Sequence, residues 1–96
     1  MEDIVYVLTA TAHSENKTEI VDAYHNIEDA RAEMKARFES SKKFWEDYEK
    51  EWNCKLTDRF EEVFIELYND YAEAYAIDAD YEEVGMSWNI ETLTVK

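Results

Sequence analysis

From Ile27 to Trp52 the chain reads Ile27, Ala30, Met34, Phe38, Ser41, Trp45, Tyr48, Trp52, at steps of three and four. That period is the signature of one amphipathic helix. At ~1.5 Å per residue it is about 39 Å long. Asn26 has the chemistry of an N-cap, and Glu28 and Asp29 suit the positive end of the helix dipole. The outer face mixes Arg31, Lys35, Lys42, Lys43 and Lys50 with Glu33, Glu39, Glu46 and Glu49. Such a helix is long for a domain of 96 residues. Its far end, with Phe44, Trp45, Tyr48 and Trp52, is expected to overhang the sheet and to need a second cover.

The flanking segments supply strands. "IVYVLTATA" (4–12) is β-branched and aromatic, with apolar residues on both alternating faces, as in a buried central strand. "HSENK" (13–17) is a polar turn, and "TEIVDAY" (18–24) completes a hairpin. After the helix, "NCKL" breaks the pattern. Asp58 and Glu61, or Thr57, then open a shorter helix over about 58–69 carrying Phe60, Val63, Phe64 and Leu67. A strand is expected over about 73–81, although its alanines also favour helix. "MSWNIETLTV" (86–95) is a last strand whose phase slip suggests a bulge near Glu91 or Thr92. The order is ββααββ: an α+β domain over residues 1–96, with an antiparallel sheet of about four strands and two helices on one face.

Composition narrows the function classes. With 46 % apolar and 15 % aromatic residues, the chain is too hydrophobic for a disordered acidic tail. One glycine leaves no phosphate-cradling loop, and GxSxG, P-loop and GxGxxG patterns do not occur. His13 lies in the turn and His25 precedes the helix, so both are expected to face solvent rather than to serve a catalytic triad. Two His and one Cys fall short of a zinc set, and the single Cys54 is read as an inert thiol in a reducing compartment. No apolar run reaches the ~18 residues of a membrane span. "MEDIVYVLTA" has acids where a secretion signal has bases. A cytoplasmic protein with no cofactor and no enzymatic activity is expected.

Charge is the informative quantity. The net value is −14, and from residue 60 to 95 there are ten acids and no Lys or Arg. Direct binding to nucleic acid or an anionic membrane is disfavoured by the lack of a basic patch. "NDYAEAYAIDADYEEVG" (69–85) concentrates six of the acids with three tyrosines. Asp78, Asp80 and Glu82 match the start of a calcium loop, but Glu83 stands where glycine is required and Asn89 where a bidentate carboxylate is required. No metal site is expected. Carboxylate pairs suited to glycoside hydrolysis carry no information among 24 acids.

Two readings of the acids remain. In one they are a solvated face and an edge guard, or a halophilic surface that the seven Lys argue against. In the other they mimic the charge of nucleic acid and occupy a basic channel. The expected contact set is then Glu61, Glu62 and Glu66 on the second helix, followed by Asp70, Glu73, Tyr75, Asp78, Asp80, Tyr81, Glu82 and Glu83. Tyrosines among the acids would anchor the interface.

The hairpin "IVYVLTATAHSENKTEIVDAY", the helix opening "NIEDARAEM" and the acidic, tyrosine-rich second half resemble small phage and mobile-element proteins of the anti-CRISPR kind. The resemblance lies in size, charge and layout, with no diagnostic motif. It implies a non-enzymatic inhibitor in a bacterial host cytoplasm, binding a CRISPR effector nuclease and blocking guide RNA or target DNA. A DNA-mimic antirestriction protein, or an adaptor that pairs as a homodimer through an edge strand or its aromatic helix end, is the alternative. The partner is expected to be a basic nucleic-acid-binding protein, and the chain a monomer or homodimer.

Overall fold

The computed structural model describes residues 3–95. Met1, Glu2 and Lys96, which the charge count and the 1–96 span include, lie outside the described residues. The α+β class, the antiparallel sheet and the long helix are as expected. The elements are β1 (Asp3–Ala12), β2 (Lys17–Tyr24), α1 (Ile27–Trp52), α2 (Leu56–Arg59), β3 (Glu62–Leu67), β4 (Tyr71–Ile77) and β5 (Glu83–Val95). The sheet has five strands, not four, in the order β2-β1-β5-β4-β3, antiparallel throughout.

Helix α1 begins and ends where its sequence requires. Asn26 is extended, and its side-chain oxygen accepts the Glu28 N–H at 2.8 Å. Asn53 terminates the helix in the left-handed region at φ 48°, where asparagine is tolerated best after glycine. Ala30, Met34, Phe38 and Trp45 are buried, the face that the period selects.

The expected second helix is a correction. Only Leu56–Arg59 is helical, and Lys55 is its cap, with its N–H donated to Asp58 at 3.1 Å. Glu62–Leu67 is strand β3. "EVFIEL" alternates in polarity as well as it fits a helical step, and two β-branched residues with a phenylalanine settle it once β4 offers a ladder. The cover for the overhanging helix end comes from Phe60, edge-on to Trp45 at 5.5 Å and 6.0 Å from Tyr48.

The expected bulge near Glu91 is also absent. The β1–β5 register runs unbroken from Asp3↔Val95 to Ala12↔Met86. Met86, Trp88 and Ile90 lie against the helix, while Leu93 and Val95 lie on the opposite parity and are exposed. The irregularity is in β2, where Leu8 pairs Asp22 and Thr9 pairs Ile20. Val21 is skipped, so Val21 and Tyr24 both reach the core while Ile20 is left 72 % exposed.

Candidate interaction face

Strand β4 decides which way the sheet presents its chemistry. Ala72, Ala74 and Ala76 are fully buried against the helix layer. Their small side chains let α1 come close enough for the Trp45 indole to donate to the Ala74 carbonyl at 3.1 Å. Tyr71, Glu73, Tyr75 and Ile77 therefore point to the other face, which no helix among the described residues covers.

Register turns that face into rows. Glu66 pairs Glu73, which pairs Ser87; Phe64 pairs Tyr75, which pairs Gly85; Glu62 pairs Ile77, which pairs Glu83. An aromatic row thus runs between two acidic rows, each about 6.8 Å from it along the strands. Phe64 and Tyr75 stack at 4.8 Å, and His13 continues the stack on Tyr75 at 3.9 Å and 10°. The His13 ring is fixed at both nitrogens, Nδ1 to Glu83 Oε1 and Nε2 to Ser87 Oγ, each at 2.9 Å. Gly85 makes this close approach possible. Its φ is +129°, and an added Cβ would lie 2.4 Å from the Ala74 carbonyl oxygen and 2.5 Å from Tyr75 Cα.

The electrostatics are one-signed. Among the described residues no Lys or Arg pairs with Glu62, Glu66 or Glu73. Glu66 and Glu73 stand directly opposite on one face, an arrangement that costs stability. Burial pushes the Tyr75 phenol pKa up, and Glu73, Glu83 and Glu62 push it further. Tyr71 is raised by burial and by the hydrogen bond it donates to Glu73 at 3.1 Å. Both phenols are thereby held in their neutral, donating form.

Of the residues singled out in the sequence, Glu62, Glu66, Glu73, Tyr75 and Glu83 meet on this face. Asp70 leaves the set, because its Oδ1 receives both Nη2 (2.8 Å) and Nε (3.0 Å) of Arg31. Asp78, Asp80, Tyr81 and Glu82 form the β4–β5 turn rather than a continuing strand, since the alternation stops at Ile77. There Asp78 Oδ1 accepts the Asp80 and Glu82 N–H groups at 2.9 and 3.0 Å. Tyr81 sits at φ 64° and is 85 % exposed. Glu61 is exposed beside the same turn, its N–H donated to the Ile77 carbonyl at 2.8 Å.

Sequence reasoning missed Phe64 and His13. Glu62, Phe64 and Glu66 alternate, and that spacing was readable as a strand face. Nothing local marks His13, which was expected in solvent. It is half-buried because β5 passes beside the end of β1 and the His13 N–H donates to the Gly85 carbonyl at 2.9 Å. No cluster of three or more metal-ligating side chains occurs among the described residues. No protein-family model, curated protein or solved structure matches this chain.

Proposed function

We propose that the protein is a non-enzymatic acidic inhibitor that occupies the basic nucleic-acid-binding surface of an RNA-guided nuclease of the CRISPR type. It competes there with guide RNA or target DNA by charge mimicry. The observation that carries this reading is the pair of carboxylate rows flanking a stacked aromatic row on the uncovered face of the sheet. Glu66 opposite Glu73 weakens the fold, and a cationic partner turns that cost into attraction. Each carboxylate offers a charge-assisted hydrogen bond to Lys, or a bidentate one to Arg. The rigid rings supply contact area at little entropic cost. A DNA-mimic antirestriction protein would use the same physics on a different basic enzyme.

The test is competition with guide RNA for the effector. The expected result is displacement at low salt, weakened more than tenfold on going to about 0.5 M salt as the Debye length shortens. Reversing Glu62, Glu66 and Glu73 to Lys is expected to abolish competition without unfolding the protein. An affinity indifferent to salt, or a triple variant that competes as well as the parent, sinks the reading. The adaptor alternative has one observation in its favour. From Glu91 to Val95 one edge of β5 has no strand beside it among the described residues, and Leu93 and Val95 are exposed there. It predicts a homodimer that survives the triple reversal.

A further inference from the structure

Strand β5 runs past the end of β4. The β4–β5 pairing stops at Tyr71↔Asn89, and the Asp70 carbonyl then accepts the Ile90 N–H at 2.9 Å. Beyond that point Glu91–Val95 pairs only with β1 among the described residues, and every residue in it is exposed. There β1 has in turn lost β2, whose pairing ends at Tyr6↔Tyr24. The overhang is a two-stranded ribbon, an arrangement that is marginal in water without a third strand.

Backbone direction limits what this edge can take. Along an antiparallel strand, neighbouring residues aim their N–H and C=O at opposite edges. Ile90 aims at the β4 side, so Thr92 and Thr94 aim there too, where no strand meets them. Sheets guard such edges with charge or a bulge. The β2 edge has Lys17, Glu19, Asp22 and the skip at Val21, and the β3 edge has Glu62 and Glu66. Glu91–Val95 has one charge, at its start.

The segment is complementary to itself. About a dyad at Leu93, Thr92 of each copy lies opposite Thr94 of the other and exchanges N–H···O=C bonds with it in both directions. Every outward group of Thr92 and Thr94 is then satisfied. Sliding by two residues one way would need Ile90, whose N–H Asp70 already holds. Sliding the other way carries Thr92 beyond Val95. Leu93 meets Leu93 across the dyad, beside the Val5 that each copy pairs with it, and the threonines form cross-strand pairs on the other face. Glu91 lies opposite Val95. The two Glu91 carboxylates are about 14 Å apart along the strands, beyond the ~8 Å Debye length at physiological salt.

We infer that the chain forms a symmetric dimer by pairing Glu91–Val95 of β5 with the same segment of a second copy. The dyad is perpendicular to the sheet, so both open faces, with Glu62, Glu66 and Glu73, look the same way and stay uncovered. The pairing does not depend on what those acids meet. The charge of −14 on each copy opposes it at long range.

Sedimentation of the full chain from about 1 µM to about 1 mM tests it. A monomer–dimer equilibrium is expected in that range, strengthening as salt rises to about 0.5 M because screening relieves the repulsion. Competition with guide RNA is expected to weaken over the same salt range, so the dimer and the inhibitor reading fail separately. Thr94→Pro removes an outward N–H without touching the β1 pairing and is expected to leave only monomer. Leu93→Lys, at an exposed side chain, sets two ammonium groups across the dyad and carries the same expectation. In a Cys54→Ser background, Leu93→Cys is expected to cross-link on oxidation, since its two Cα atoms lie about 4.5 Å apart. Thr92→Cys, offset by two residues from its copy, is expected not to. A chain that stays monomeric throughout overturns the inference and leaves the edge to another protein. A dimer untouched by both Thr94→Pro and Leu93→Lys overturns it by placing the contact elsewhere. Cross-linking by Thr92→Cys but not Leu93→Cys overturns the register.

Discussion

Gly85 and Tyr75 carry the consequences at the scale of single residues. The only glycine in the chain sits inside a strand, a position that ordinarily weakens it. Here its φ and the crowding against Ala74 and Tyr75 exclude any side chain. Gly85→Ala is expected to cost at least about 1–3 kcal/mol through backbone strain, read as a lower urea midpoint with an unchanged slope. A midpoint within error of the parent would mean the strand relaxes freely. Tyr75 gives a pH dependence. Its folded pKa and that of Tyr71 lie above the ordinary 10.0. The folded state therefore holds these protons more tightly than the unfolded chain does. The stability they support is intact below about pH 10 and is lost as pH rises through the folded values. Urea unfolding across pH 8 to about 11 is expected to show this decline. Tyr75→Phe, which keeps the ring in the stack, is expected to make it shallower. An unchanged decline in that variant would place the titration elsewhere.

At the scale of elements, α1 and β4 work as a matched pair. The alanine parity of β4 is a socket for Trp45, which both fills the space and donates to the Ala74 carbonyl. Trp45→Ala is expected to cost about 3–5 kcal/mol, and Trp45→Phe less, because it keeps most of the packing and loses only the indole hydrogen bond. Thermal or chemical unfolding checks both, and a Trp45→Ala cost below about 1 kcal/mol would contradict the packing described.

The long helix was legible because 26 residues sample the 3.6 period many times over. The N-terminal hairpin was legible because polar and turn residues separate two β-branched runs. Strand β3 was not, since "EVFIEL" is too short for one period to exclude the other. What decides it is the β4 ladder, which no local pattern in residues 62–67 contains. The open face follows the same logic. Its acids were visible as charge, but the rows exist only through the pairing of β3, β4 and β5. His13 was illegible because the contacts that bury it come from Tyr75, Glu83 and Ser87, more than sixty residues away.

At the scale of the whole molecule, one long helix on a five-stranded sheet gives an elongated, thin body of 55 × 23 × 16 Å. Helix α1 carries six of the ten Lys and Arg together with eight acids, whereas β3, β4 and β5 carry acids and no Lys or Arg. The slab is thus negative overall, with its unneutralised carboxylates concentrated on the open side of the sheet. A basic groove can orient it before contact.

The β1–β5 ladder has a mechanical meaning as well. Asp3 and Val95 are paired at one end of it, and Ala12 and Met86 at the other. Pulling on residues 3 and 95 loads the cross-strand hydrogen bonds along their own direction, one after another. Pulling on residues 3 and 86 loads the same ladder in shear, all at once. Single-molecule stretching is therefore expected to open the first geometry at clearly lower force, and equal forces would contradict the register. Because this ladder joins the N-terminal hairpin to β4 and β3, parting it divides the sheet in two. A translocating unfoldase gripping the end next to Val95 would meet a zipper rather than a clamp.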